Sequence, residues 1–267
     1  MYFSTARFKQ LQDLKIHETA EKCRIWDMAM MSSDTLLLAN FGQCSMQLVN
    51  SMLGRVVSRV IIPTGPVRLC RLSDLLVAAT CASNVQLIHI NEKTITKGKL
   101  LDVNGDVWGI SVYSSTSFVV SYNDSPWLEV ISVDGTILHR FDQKKKTHNF
   151  KKPFHLTTSS DGLIYASDCA TGTISELDRT LQLLQTFSSP LLKSPRGIIS
   201  FGLGQLLVCS QGNNRVVLLN TDTGNMSILL DEKDGIRAPH SSTYCPEQRK
   251  LYVAAIHTSI IQVYQLA

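Results

Sequence analysis

Residues 194–225 read SPRGIISFGLGQLLVCSQGNNRVVLLNTDTGN. Gly202 and Gly204 invite comparison with a phosphate-cradling loop, which sets an anion at a helix N-terminus. The residues directly after them are QLLVCS, a β-like apolar run, so no helix start is present to meet an anion. The same glycines suit a tight turn between two strands. Around that turn stand four short apolar runs, GIISF, QLLVCS, RVVLLN and MSILL, each bounded by turn residues. The stretch therefore reads as one four-stranded antiparallel unit.

The unit recurs. Residues 152–189 place Pro153 where Pro195 sits, Asp161-Gly162 at the first turn and GLIYAS as the second strand. Further copies begin near Arg24, Gly65 and Asp106, the last with Asp134-Gly135 as a hairpin turn, and a final copy begins near Ile236. The third strands are expected to start at Met46, Val85, Trp127, Thr173, Arg215 and Ile260, at intervals of 39 to 46 residues. A period near forty with four strands per copy predicts an all-β, six-bladed β-propeller with antiparallel blades. The blades are expected at 24–63, 64–103, 104–150, 151–192, 193–235 and 236–267 of a single domain. The last copy stops after its third strand, while residues 6–16 belong to no copy. An unpaired edge invites aggregation, so residues 6–16 are expected to close the ring as the outer strand of blade six. Phe8, Leu11 and Leu14 also fit helical spacing, but a detached helix would leave the ring open.

Composition suits sheets buried on both faces: 44% of residues are hydrophobic and only 18% charged. Neither a secretory signal nor a run long enough to span a bilayer occurs, so a soluble, cytoplasmic protein without membrane contact is expected. The seven cysteines are scattered and form no Cys-x-x-Cys, which predicts buried, reduced thiols and no zinc-finger site.

Pro195-x-Gly197, then Asn213, Asn214 and Arg215 inside LLVCSQGNNRVVLLN, resemble the NHL repeat, with its Pro-x-Gly strand and its Asp/Ser-x-x-Asn-x-Arg element. Blade four keeps Ser167-Asp168 and Gly172 without the Arg, and the other blades keep only the strand pattern. The opening RFKQLQDLKI followed by CRIWDMAM is similar to the C-terminal propellers of tripartite-motif (TRIM) proteins, in particular divergent invertebrate members. That resemblance implies a natural chain extending before Met1 with a RING, B-boxes and a coiled coil. It also implies a non-catalytic recognition module of a ubiquitin ligase, with a protein substrate or RNA as partner and no cofactor.

The residues nearest the axis are expected to be Trp26-Asp27, Val67-Arg68, Trp108-Gly109, Phe154-His155, Arg196-Gly197 and His240-Ser241. The rings either plug the channel or face a ligand, whereas Arg68 and Arg196 need partners. The alternative is a metal-dependent lactonase or lyase, for which Asp27, His155 and His240 are the ligands on offer. Calcium would need more oxygens, and the two arginines oppose a cation. The link between blades three and four carries Lys144, Lys145, Lys146, Lys151 and Lys152 among Phe150, Phe154 and His155. Lysines beside aromatics suit single-stranded RNA, although Asp231, Glu232 and Asp234 make the same face patchy. For a protein partner the anchors are Trp108, Arg196 and Trp127, the last either wedged between blades or offered from the NDSPW loop.

Overall fold

The computed structural model describes residues 7–16, 23–91, 93–123, 125, 127–140, 150–256 and 258–266. Strands β1 (Phe8–Gln10) and β2 (Leu14–Lys15) precede the first blade. Blade one is β3 (Ile25–Ser32), β4 (Thr35–Asn40), β5 (Ser45–Asn50) and β6 (Val56–Ile61). Blade two is β7 (Arg68–Arg71), β8 (Leu76–Cys81), β9 (Asn84–Asn91) and β10 (Thr94–Asp102). Blade three is β11 (Val107–Ser114), β12 (Ser117–Tyr122), β13 (Leu128–Ser132) and β14 (Ile137–Arg140). Blade four is β15 (Pro153–Thr158), β16 (Ile164–Asp168), β17 (Thr173–Leu177) and β18 (Leu183–Ser188). Blade five is β19 (Pro195–Ser200), β20 (Gln205–Ser210), β21 (Arg215–Asn220) and β22 (Met226–Leu230). Blade six is β23 (Pro239–Cys245), β24 (Lys250–Ala255) and β25 (Ile260–Leu266), completed by β1 and β2. The molecule is a six-bladed β-propeller.

The burial of each strand follows its place in the blade. The second strands are almost wholly buried, as in β20, because both faces meet a neighbouring blade. The outer β6 alternates half-buried and exposed residues along VVSRVI, as a strand with one wet face must. Apolar side chains gather in six clusters, one at each seam between consecutive blades. The third strands begin at Ser45, Asn84 and Leu128, one residue from the expected Met46, Val85 and Trp127. In the first two, Ser45 and Asn84 pair across the turn with Asn40 and Cys81, which extends the ladder.

The ring is closed by its own beginning. Phe8 pairs with Leu266 and Gln10 with Tyr264, and after an irregular Leu11–Asp13 the register resumes with Leu14 opposite Ile261. The two parts are tied by Leu11 N–H to the Val263 carbonyl at 2.8 Å. Leu14 and Ile16 then enter the seam between blades six and one, packed with Ile25, Val49, Tyr252 and Ile261. Gly54 of blade one, at φ +66°, passes so near that a Cβ there would lie 2.0 Å from the Lys15 carbonyl oxygen. Only glycine fits both that conformation and that approach. No helix among the described residues is long and apolar enough to cross a membrane. All seven cysteines are free, five of them buried.

Deleting residues 1–17 is therefore expected to lower the melting temperature sharply or abolish folding. Leu14→Ala, which empties a packed site, should cost about 2–4 kcal/mol in denaturant melts. A deletion variant that melts with the parent would overturn this account of closure.

Candidate functional site

The innermost strand of each blade starts beside the axis, and five of the six start with a bulge. Register shifts fall at Ile25/Asp27, Val107/Ile110, Pro153/His155, Pro195/Ile198 and Pro239/Ser241. A bulge re-aims the side chain it carries, which is how Trp26, Trp108, Phe154, Arg196 and His240 come to one end of the axis. Hydroxyls on the second strands stitch these bulges to the next blade. Thr80 Oγ1 accepts from Arg68 N–H at 3.0 Å and donates to the Trp108 carbonyl at 2.9 Å. Ser121 Oγ accepts from Gly109 N–H and donates to the Pro153 carbonyl, both at 2.9 Å. Ser167 Oγ donates to the Arg196 carbonyl at 2.7 Å. Space at this level is tight: a Cβ on Gly197 would lie 2.9 Å from the His240 carbonyl oxygen. That approach is the physical reason for the glycine of the Pro-x-Gly motif.

Arg68 and the rings form a plug at this end. The fully buried Arg68 donates from Nη1 to the Trp26 carbonyl and from Nη2 to His240 Nε2 at 3.3 Å. A guanidinium can only donate, so His240 accepts at Nε2. The Phe154 ring carries both guanidiniums, with Arg68 Cζ 4.4 Å and Arg196 Cζ 4.0 Å from its centroid. Trp108 meets Phe154 edge-on at 4.9 Å and Trp26 at 6.0 Å, while Trp26 stacks on Phe41 at 4.6 Å. Burial pulls the Arg68 pKa down to about 10, with Asp27 opposing, so the group keeps its charge at neutral pH.

Beneath the plug lies a polar belt. Asp27 Oδ1 accepts from Ser241 Oγ at 2.5 Å and Oδ2 accepts from Leu69 N–H at 2.9 Å. His155 Nε2 lies 3.7 Å from Asp27 Oδ1, and its Nδ1 accepts from Ile198 N–H at 3.4 Å. The ring proton therefore sits on Nε2, facing the carboxylate. Burial alone would raise the Asp27 pKa, but His155, Arg68 and Ser241 more than offset it and hold the carboxyl below its ordinary range. Burial lowers the His155 pKa in spite of Asp27, leaving a neutral imidazole.

The residues expected at the axis thus divide between plug and belt. Asp27 and His155 come together, whereas His240 is engaged by Arg68 in the plug, so the three do not surround a common point. Among the described residues no group of three or more His, Cys, Asp or Glu is placed to hold a metal ion. Trp127 packs into the clusters on both faces of blade three, at its seams with blades two and four, with Tyr122 edge-on at 6.4 Å. Its ring is half-buried and wedged between blades, the packed one of the two placements expected for it. The buried Glu129 nearby, which takes Tyr122 Oη and Arg140 Nε, carried no signal in the sequence.

Around the plug the link face of blades three to five carries cations, with Asp106 beside them accepting from Trp108 Nε1 at 3.0 Å. Lys152 Nζ stands 5.2 Å over the Trp108 ring, and Lys151, Lys193 and the half-buried Arg196 lie on the same face. The lysines are placed by Asp168, whose Oδ2 accepts from Lys151 N–H at 2.6 Å and Lys152 N–H at 3.0 Å. Its Oδ1 takes Ala170 and Thr171 N–H at 2.9 and 3.1 Å. Ser210 does the same in blade five, accepting Lys193 N–H at 2.8 Å, and Asn40 in blade one, accepting Arg24 N–H at 3.1 Å. Asn213 Nδ2 donates to the Leu191 carbonyl at 2.9 Å. The Asp/Ser and Asn of the repeat motif therefore hold the links in place. The same clamp in blade one was hidden by the change to Asn40-Phe-Gly-Gln43. Lys144, Lys145 and Lys146 lie outside the described residues. Cys169, beside Arg196 and Lys152, is not an activated thiol, because burial raises its pKa despite both cations.

The belt predicts how stability responds to pH. A histidine held neutral binds its proton only on unfolding, so the contribution of His155 is lost as pH falls through its ordinary value of 6.5. Asp27, depressed below 3.8, withdraws stability only at still lower pH. Thermal melts between pH 8 and 5 should show a decline below about 6.5 that His155→Gln flattens. Asp27→Asn, which removes the carboxylate compensating Arg68, should cost about 3 kcal/mol or more at pH 7. Equal pH slopes in parent and His155→Gln would exclude the histidine as the source of the decline.

No known protein-family profile matches the chain, and no curated protein does. Solved structures do. A streptogramin B lyase superposes with TM-score 0.68 at 14% identity over 97% of this chain and 98% of that one. A Bacteroides thetaiotaomicron protein of unknown function gives 0.76 at 11% identity, over 98% of this chain and 76% of that one. The WD40 propeller domain of Doa1 gives 0.71 at 14% identity, covering 98% of both chains. A lyase and a WD40 domain share this architecture, so the likeness identifies the fold, and function has to be argued from the site.

Proposed function

We propose that this chain is a ligand-recognition propeller of the NHL type, the module that presents a protein target to a TRIM-like ubiquitin ligase in the cytoplasm. It reads that target on the link face of blades three to five, as an acidic segment. The observation that carries the reading is the cationic ring around the plug, with Arg196 and Lys152 fixed over Phe154 and Trp108. Arg196 is further oriented by Nε donating to Gln211 Oε1 at 3.0 Å. Cations held in place by rings and clamps lose little freedom on meeting carboxylates, which favours affinity. Of the carboxylates on this face, Asp168 is spent on four backbone N–H groups, Asp106 accepts from Trp108 Nε1 and Asn123 Nδ2, and Glu232 accepts from Asn214 Nδ2.

Single-stranded RNA asks for free aromatic faces on which bases stack. Here those faces are taken: Trp26 lies on Phe41, Phe154 between two guanidiniums, and Trp108 under Lys152. A non-catalytic role is further supported by the separation of His240 from the Asp27–His155 pair.

Fluorescence anisotropy with a labelled ten-residue polyglutamate peptide tests the reading, with oligouridylate as comparison. The peptide should bind, more weakly at 200 than at 50 mM salt. Joint Arg196→Ala and Lys152→Ala should weaken it at least tenfold with little change in melting temperature. Peptide binding indifferent to that pair would overturn the proposal. So would tighter oligouridylate binding whose salt slope flattens by roughly two when Lys144, Lys145 and Lys146 become Ala, since each phosphate contact contributes about −0.7.

A further inference from the structure

The opposite end of the axis is open. Below the belt, a cavity of 510 Å³ widens toward the hairpins that join first and second strands, with Asp27 and His155 at its floor. A second cavity of 790 Å³ runs outward from it under blades five and six. Thr157, Ile199, Thr243, Tyr244 and Pro246 line both, so they form a well with a side trough. The trough is walled by Ile199, Leu266 and the Phe201–Tyr244 pair, whose rings meet edge-on at 4.8 Å. Volumes of this size are those of small-molecule sites, and recognition on the link face makes no use of this end.

One residue in the well breaks the pattern of its layer. The position after the belt is Met28, Leu69, Ile110, Leu156 and Ile198 in blades one to five, and Ser242 in blade six. Ser242 is 3% exposed, lines the well, and its hydroxyl meets only the weakly bonding thiol of Cys209. A buried hydroxyl with no stronger partner than a thiol is poorly satisfied, which points to a group that meets it. Ser111 and Thr158 add hydroxyls to the wall.

The charges define what that group is. Asp27 at the floor is ionised and Arg68 behind it compensates its charge, so the floor favours neither an acid nor an ammonium, and either ion would lose its hydration there. Arg71 on the wall is paired with Asp74 at 2.5 Å and donates to the Met30 carbonyl at 2.8 Å, while Glu247 at the well and Arg249 at the trough bring one charge of each sign. We propose that the well and trough together bind a free, uncharged amphiphile, its hydroxyl or carbonyl head against Ser242 in the well and its apolar body along Phe201 and Tyr244.

Uptake of the neutral fluorescent probe N-phenyl-1-naphthylamine, with displacement by 1-dodecanol, dodecanoate or dodecyltrimethylammonium, tests this. The probe should saturate at one per chain, and dodecanol should displace it at least tenfold more effectively than either ion. Ser242→Leu, which restores the apolar layer, should leave the melting temperature equal or higher while weakening dodecanol at least tenfold. Ile199→Trp, at the neck shared by the two cavities, should abolish uptake with the fold retained by circular dichroism. Absence of saturable uptake, equal displacement by dodecanoate, or uptake unaffected by Ile199→Trp would each overturn the proposal.

Discussion

Closure of the sixth seam is the constraint on which everything at the axis depends. Each sheet buries both faces, so no blade has a finished surface until its neighbours are in place. The pairing of β1 and β2 with β25 sets blade six against blade one. Three contacts that define the centre cross that seam or lean on it. Ser241 donates to Asp27, residues 214 apart in sequence; Arg68 reaches His240; Trp26 meets the His240 ring at 5.5 Å. Loop closure over such spans costs entropy that local contacts cannot repay, so the apolar packing of Leu14, Ile16, Tyr252 and Ile261 has to supply it.

Given a closed ring, the buried charges organise the axis. A guanidinium at full burial is tolerable only where its donors are met and an anion lies near. Arg68 finds the Trp26 carbonyl, His240, the Phe154 face and the field of Asp27. Asp27 in turn is solvated by Ser241, Leu69 N–H and the neutral His155. The members come from blades one, two, four and six, so the network also fixes those blades relative to one another. The backbone bulges and the Thr80, Ser121 and Ser167 stitches set the side-chain directions on which this depends.

The period of the sequence was enough for the ring because strand spacing and turn residues are local properties. MSILL is β22 as read, and RVVLLN is β21. The amphipathic Phe8–Leu14 segment was ambiguous between helix and strand, and the need to cover an edge decided it correctly. The set of residues nearest the axis was legible too, since the bulge follows the Pro-x-Gly type of opening. Their division into plug and belt was not, because it depends on which neighbour each side chain meets after the bulge has turned it. Trp127 illustrates the same limit: an aromatic in a loop reads alike whether it faces solvent or the seam it fills. The hairpin-face well left no motif at all, being lined by residues that alternate like any inner strand.

Plug and belt also explain why the two ends of the axis differ in chemistry. Rings and guanidiniums saturate one another above the belt, leaving lysines and Arg196 to set the character of the link face. Below it, the inner strands contribute aliphatic side chains together with the hydroxyls of Ser111, Thr157, Thr158, Ser242 and Thr243, and Arg71 and Glu247 add charge to the lining. The belt of Asp27, His155 and Ser241 separates the two. Because that layer is held by hydrogen bonds from several blades, the floor of the well is fixed before any ligand arrives. A preformed cavity requires no ordering of its walls, so even modest apolar contact along Phe201 and Tyr244 can appear as affinity.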